Sequence, residues 1–247
     1  MMSSCFLIVA LLLPGIDVET LTVDLHIETG MAYINQGLTD KALGEFTAAL
    51  DISENASEAH LGLARVAVIN RSWATAEEEY SIYIDLKPDD HRAPLEISEM
   101  LLLVRGRSFD ALEYAEAALA LAPLNGQCWM VLAKAESRLG NIEEATAWFT
   151  RIIIEDAELA GEARVQMGSL LFQNGNLFSA REILLPAAMA GMAEAHHFLA
   201  LIYMEQSDNL RATDSINRYL HIEPNGLWAD SARICLENLS SSNLPNN

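Results

Sequence analysis

Small and apolar positions recur along this chain at a spacing too long for one helix and too regular for chance. Ala42, Ala76, Ala111, Ala145, Ala180 and Ala212 follow one another at steps of 34, 35, 34, 35 and 32 residues. Gly30, Ala64, Glu99, Ala133, Gly168 and Ala200 repeat the same five steps. The period therefore belongs to a structural unit, and its length is that of a helical hairpin stacked on copies of itself. Alanine suits the place where two helices of a hairpin cross, because a larger side chain would wedge them apart. Between the two series lie Gly37, Arg71, Gly106, Gly140, Gly175 and Ser207, positions expected to end a helix in the left-handed conformation. Four residues after the alanines stand Phe46, Tyr80, Ala115, Phe149, Leu184 and Ile216, one helical turn on and, Ala115 excepted, large enough to fill the space between neighbouring hairpins.

This phase predicts helix pairs at about 23–36 and 39–52, 57–70 and 73–86, 92–105 and 108–121, 126–139 and 142–155, 161–174 and 177–190, and 193–206 and 209–222. A further amphipathic stretch at about 227–239, with Leu227, Trp228, Ala232, Ile234, Cys235, Leu236 and Leu239, reads as a cap covering the apolar side of the last hairpin. The fold class is all-α, a solenoid of about six hairpins spanning residues 23–239 as one domain, with 240–247 as a disordered tail.

Residues 1–22 stand outside the repeat. Cys5–Leu13 is an uninterrupted apolar run followed by Pro14 and Gly15, long enough for the core of a secretory signal and short of a membrane span of ~20 residues. Export to, or tethering in, the cell envelope or periplasm is the expectation, with membrane association through this run. An apolar first helix packed on the first repeat in a cytoplasmic protein is the alternative.

Composition narrows the partners. A net charge of −20 over 247 residues repels phosphate backbones, so nucleic acid is excluded as a partner, and a basic or neutral protein is the natural counterpart. Cys5, Cys128 and Cys235 are too widely separated for a metal knuckle. His196 and His197 are adjacent, so they cannot form the i, i+4 pair of a helical zinc site. No phosphate loop, nucleophile elbow or zincin pattern occurs, and neither cofactor, metal nor catalytic residue is expected.

The stretches GMAYINQGLTDKALGEFTAAL, WMVLAKAESRLGNIEEATAWF and LALIYMEQSDNLRATDSINRYLHIEP resemble the tetratricopeptide-repeat (TPR) family over about residues 23–225. Pro88, Pro123 and Pro224 match that family's closing proline, which Glu54 and Ala157 replace in the first and fourth units. The fifth unit, with LLPAAMAGMAEAHHFLALIY, is similar to the Sel1-type repeat. The apolar leader with six units, and the rhythm of Glu28–Val66 and Ala163–Tyr219, is similar to the TPR pilotins of type IV pilus systems.

The resemblance implies a right-handed superhelix whose first helices line a concave groove for a protein or peptide. The repeat phase places Ile27, Met31 and Ile34 on that groove in the first unit, Leu61, Arg65, Val68 and Ile69 in the second, and Glu96, Met100, Leu103 and Val104 in the third. It adds Met130, Lys134 and Arg138 in the fourth, Val165, Ser169 and Phe172 in the fifth, and His197, Leu201 and Met204 in the sixth. The set is mostly apolar and contains four methionines, which suits an apolar or amphipathic segment of a partner. Ile27 and Met31 stand where the chaperone-binding subfamily needs Lys and Asn to clamp a carboxylate. The expected function is a non-enzymatic interaction scaffold in envelope assembly. The alternative is a Sel1-like accessory protein or hydrolase in the cytosol, with His196 or His197 reactive.

Overall fold

The structure, a computed structural model, describes residues 18–242. Its thirteen helices among the described residues are α1 (Val18–Asn35), α2 (Thr39–Ile52), α3 (Ser57–Ile69), α4 (Trp73–Leu86), α5 (Arg92–Leu103), α6 (Ser108–Leu121), α7 (Gly126–Leu139), α8 (Ile142–Glu155), α9 (Ala160–Gln173), α10 (Leu177–Met189), α11 (Ala193–Glu205), α12 (Asn209–Ile222) and α13 (Ala229–Ser242). They pair as six antiparallel hairpins plus a cap. No strand occurs among the described residues. The chain divides into two compact units that part between Pro123 and Leu124. The first holds three hairpins; the second holds three hairpins and α13.

Two boundaries differ from the sequence reading. α1 begins at Val18, inside the expected leader, and α13 extends to Ser242, into the expected tail. The apolar run Cys5–Leu13 and the last five residues lie outside the described residues. No helix among the described residues is long and apolar enough to cross a membrane.

Each hairpin closes on its landmark alanine. Ala42, Ala76, Ala111, Ala145, Ala180 and Ala212 are all fully buried. The side chains four residues on are buried as well, and Phe46 shows how they work. A Cβ added to Gly30 would lie 2.7 Å from the Phe46 ring, and one added to Gly62 closer still. One ring thus fills a slot floored by glycines of two successive first helices, α1 and α3. Leu184 presses on Gly168 in the same way.

The third hairpin corrects the second series. Glu99 is exposed, and the crossing is occupied by Ser98, whose buried Oγ donates to the Ala111 carbonyl at 2.6 Å. Thirteen residues separate Ser98 from Ala111, against twelve between Gly30 and Ala42 or Ala133 and Ala145. The extra residue lies in the turn around Val104–Arg107, so the whole of α5 is rotated by one position relative to the repeat phase.

The six turn positions all adopt positive φ, including the non-glycine residues Arg71 (φ 56) and Ser207 (φ 59). In the second unit the cap docks through rings. Trp228 stacks on His197 with centroids 4.2 Å apart, and the Tyr219 hydroxyl accepts the Trp228 backbone N–H at 3.0 Å. Burial lowers the pKa of His197, and burial followed by the nearby Arg218 charge lowers that of His196.

Gly62→Ala should destabilise the first unit by about 1–3 kcal/mol through overpacking against Phe46, read as a lower denaturant midpoint. Arg71→Gly should raise stability by about 0.5–1 kcal/mol by removing the left-handed penalty of a side chain. Unfolding exposes two histidine rings that then take up protons near pH 6.5, while the folded rings resist protonation. The contribution is therefore intact above that pH and is lost as pH falls below it. The melting temperature of the second unit should drop between about pH 7 and about pH 5, and His197→Phe should flatten that drop.

Candidate functional site

The first helices α1, α3 and α5 of the first unit, and α7, α9 and α11 of the second, carry the residues assigned to the groove. In the first unit Ile27, Met31 and Ile34 are half-buried and pack against the core formed by Val23, Ala42, Phe46, Ala49, Ala59 and Val66. Val68 is half-buried, whereas Ile69 and Leu103 are 51% and 69% exposed. These two side chains form the open apolar part of this face.

Four assignments are corrected. Leu61, Met100, Met130 and Val165 are buried and belong to the core. α3 is packed against α1, α2 and α4, which leaves Leu61 no solvent side. Met100 turns inward because of the one-residue shift of α5, and the same shift brings Glu99 outward. α7 buries Met130 along with most of its length, and Val165 on α9 is buried too. Two of the four methionines therefore leave the proposed surface.

Two of the three cations assigned to this face are paired. The Arg65 guanidinium donates two bonds to Glu96, at 2.9 and 2.5 Å, and a further nitrogen lies 3.5 Å from the Met31 sulfur. Tyr80 donates its hydroxyl to the same carboxylate at 3.1 Å. The hydrogen bond to Glu96 raises the Arg65 pKa, and burial, reinforced by the Glu96 charge, pushes the Tyr80 hydroxyl far above its ordinary range. Arg65 thus stays charged and Tyr80 stays protonated, so neither is poised for acid–base work at neutral pH. One turn earlier, Arg92 gathers Glu58, Asp90 and the Tyr83 hydroxyl, and its hydrogen bonds hold the Asp90 carboxyl well below the usual range. In the second unit Lys134 pairs with Glu162 at 2.8 Å, while Arg138 is exposed.

The second unit assembles something the repeat phase did not anticipate. Phe172 on α9 lies 6.3 Å from Phe198 on α11, and Phe198 lies 6.0 Å from Trp228 of the cap segment. His197 completes the group through its stack on Trp228. Leu201 and Met204 continue this face half-buried, Met204 packed against the cap-side core of Ala193, Ala200, Ile216 and Tyr219. Ser169 is half-buried on α9. Phe198 was missed because the repeat phase puts His197, Leu201 and Met204 on the groove side of α11 and leaves Phe198 off it, and Trp228 because its stretch reads as the cap. Their adjacency to Phe172 depends on how the hairpins stack, which single-helix periodicity does not encode. His196 faces the other side, beside Met189, Arg218 and Asp214 in a pocket of about 360 Å³. No group of three metal-ligating side chains comes together among the described residues.

Each unit thus combines exposed or half-exposed apolar side chains on its first helices with ion pairs between those helices. Known structures share the architecture. PilF of Pseudomonas aeruginosa superposes with a TM-score of 0.71 at 18% identity, covering 88% of this chain and 99% of that one. PilW, described as a widely conserved type IV pilus biogenesis factor, gives 0.75 at 15% identity over 85% of this chain and 98% of its own. YrrB, a TPR protein described as having an unusual peptide-binding site, gives 0.54 at 20% identity over 76% and 97%. At such identities the likeness is one of fold. No curated protein is similar enough in sequence to match. A family model described as tetratricopeptide repeat matches residues 27–91 and 100–160, just over half of the chain, and with six hairpins closed on alanines this chain belongs to the tetratricopeptide-repeat family.

Proposed function

We propose that the protein is a non-catalytic scaffold of the bacterial envelope, in the manner of the pilus-biogenesis TPR proteins, which holds an apolar or amphipathic segment of a partner on the face of its first helices. The observation that carries this reading is the apolar surface left open there. Ile69 and Leu103 are exposed in the first unit, and Phe172, Leu201 and Met204 are half-exposed in the second. In each unit, covering such side chains removes apolar area from water, which favours a partner that covers them. PilF and PilW share this fold over nearly their whole length, and the description of PilW as a type IV pilus biogenesis factor supports a role in pilus biogenesis. The apolar run Cys5–Leu13 supports export or tethering. His196 and His197, the residues on which a hydrolase would depend, are engaged in packing: the one is buried against the α10–α12 side, the other stacked under Trp228.

The double variant Ile69→Glu with Leu103→Glu should cut capture of envelope proteins by roughly tenfold in a pull-down, with the helical circular dichroism unchanged. Phe109→Glu, at an equally exposed apolar side chain on the second helix α6, should leave capture intact. Undiminished capture by the double variant rejects the first-helix face. Mass spectrometry of the mature amino terminus tests the setting, since a cleaved or acylated start is expected of an envelope protein and an intact unmodified one is not.

A further inference from the structure

α11 presents Glu194, His197, Phe198, Leu201 and Glu205 at offsets of 0, 3, 4, 7 and 11, which places them along one side of the helix. The helix contains no Lys or Arg. Glu194 is half-buried, and among the described residues it makes neither a hydrogen bond nor an ion pair, unlike Glu162 on the neighbouring first helix α9 or Glu96 on α5. One turn along, the rings of Phe198 and Trp228 stand 6.0 Å apart. A carboxylate without a counter-ion on the same side of a helix as half-exposed aromatic rings is a combination that favours a cation, because the ring quadrupole and the carboxylate attract the same charge. His197, stacked under Trp228, is kept neutral by burial and adds no opposing charge. Beyond the rings, Leu201 and Met204 offer an aliphatic surface ending at exposed Glu205. The net charge of −20 draws a basic partner towards the whole chain, and this face gives that attraction a place to end.

We propose that the α11–Trp228 face of the second unit binds a basic amphipathic protein segment, seating a Lys or Arg side chain between Glu194 and the Phe198 and Trp228 rings and aliphatic side chains on Leu201 and Met204. The proposal rests on the scaffold reading and specifies the chemistry of its partner. Arginine fits best, since its planar guanidinium stacks on a ring while its edge donates to the carboxylate.

The test uses the full chain and three fluorescently labelled, end-blocked dodecapeptides in which Leu alternates with Arg, Gln or Glu, with binding followed by anisotropy. The Leu/Arg peptide should bind roughly tenfold more tightly than the Leu/Gln peptide, and the Leu/Glu peptide should not compete. Glu194→Gln should weaken the Leu/Arg peptide by roughly fivefold and leave the Leu/Gln peptide unchanged. Glu143→Gln removes the same charge from the exposed start of α8 and should change neither. Failure of the Leu/Arg peptide to bind, equal affinity for the Leu/Arg and Leu/Gln peptides, or equal losses from the two Glu→Gln variants would overturn the proposal. If Leu201→Glu then still abolishes binding of the Leu/Gln peptide, the scaffold face survives without its basic specificity. If Leu201→Glu has no effect on any bound peptide, the scaffold face in this unit falls as well.

Discussion

Two short helices cannot hold each other in water unless they approach closely enough to exclude it, and the approach is limited by the largest side chain at their crossing. Six fully buried alanines remove that limit once per hairpin. Everything else in this protein follows from the closeness they permit. Because α1 and α2 meet on Ala42, the Phe46 ring on the same helix reaches past its own hairpin into the space above Gly30 and Gly62. The ring thereby ties one hairpin to the next, and a repeat too small to be stable alone becomes part of a stack. Serine enters this scheme at one place, the crossing of α5, where the Ala111 carbonyl takes up the hydroxyl that burial would otherwise leave unpaired.

The same closeness decides which charges remain available. First helices brought side by side put Arg65 within reach of Glu96, and Lys134 within reach of Glu162, so two cations of this face are paired internally while Arg138 stays exposed. With 35 acidic against 15 basic residues, carboxylates remain in excess once such pairs are made. Local pairing and net charge therefore act in the same direction.

Much of the fold was legible because its determinants are local and repeated. The alanine series, the six left-handed turns and the plugs from Phe46 to Ile216 are each fixed by one helix or one turn, and each stands where the period put it. The site was legible only in part, because exposure is set by neighbours. Leu61 and Met130 share a repeat position with Ile27 and His197, yet packing around α3 and α7 buries the first two and leaves the others half-exposed. Met100 was misplaced for another reason, a single residue added in the turn before Gly106, which the step of 35 from Ala76 to Ala111 includes but does not place. Read with that shift, Ser98 as the small residue of α5 would have exposed Glu99 and hidden Met100. A second regularity also went unread: His26 meets Glu45 and His60 meets Glu79, both at 2.7 Å and both nineteen residues apart, so the repeat extends to a polar bond between the helices of the first two hairpins.

The two units solve the problem of an end differently, and the difference bears on what each can bind. Beyond the last hairpin the apolar side of α11 and α12 is closed by α13 and by Trp228, which must lie flat on His197 to do so. A tryptophan placed to keep water out of a core is here still half-exposed, and its ring stands next to Phe198, which in turn stands next to Phe172. The aromatic surface is thus a by-product of capping. Such a surface is rigid at little entropic cost, since its rings are already immobilised by the packing that stabilises the fold. On the first helices of the first unit the exposed apolar groups are the aliphatic Ile69 and Leu103, at the turn ends of α3 and α5. Neither is wedged between rings, and each loses rotamer freedom when covered. Preorganisation therefore favours the second unit as the place where a partner is recognised, and leaves to the first a weaker, more accommodating contact.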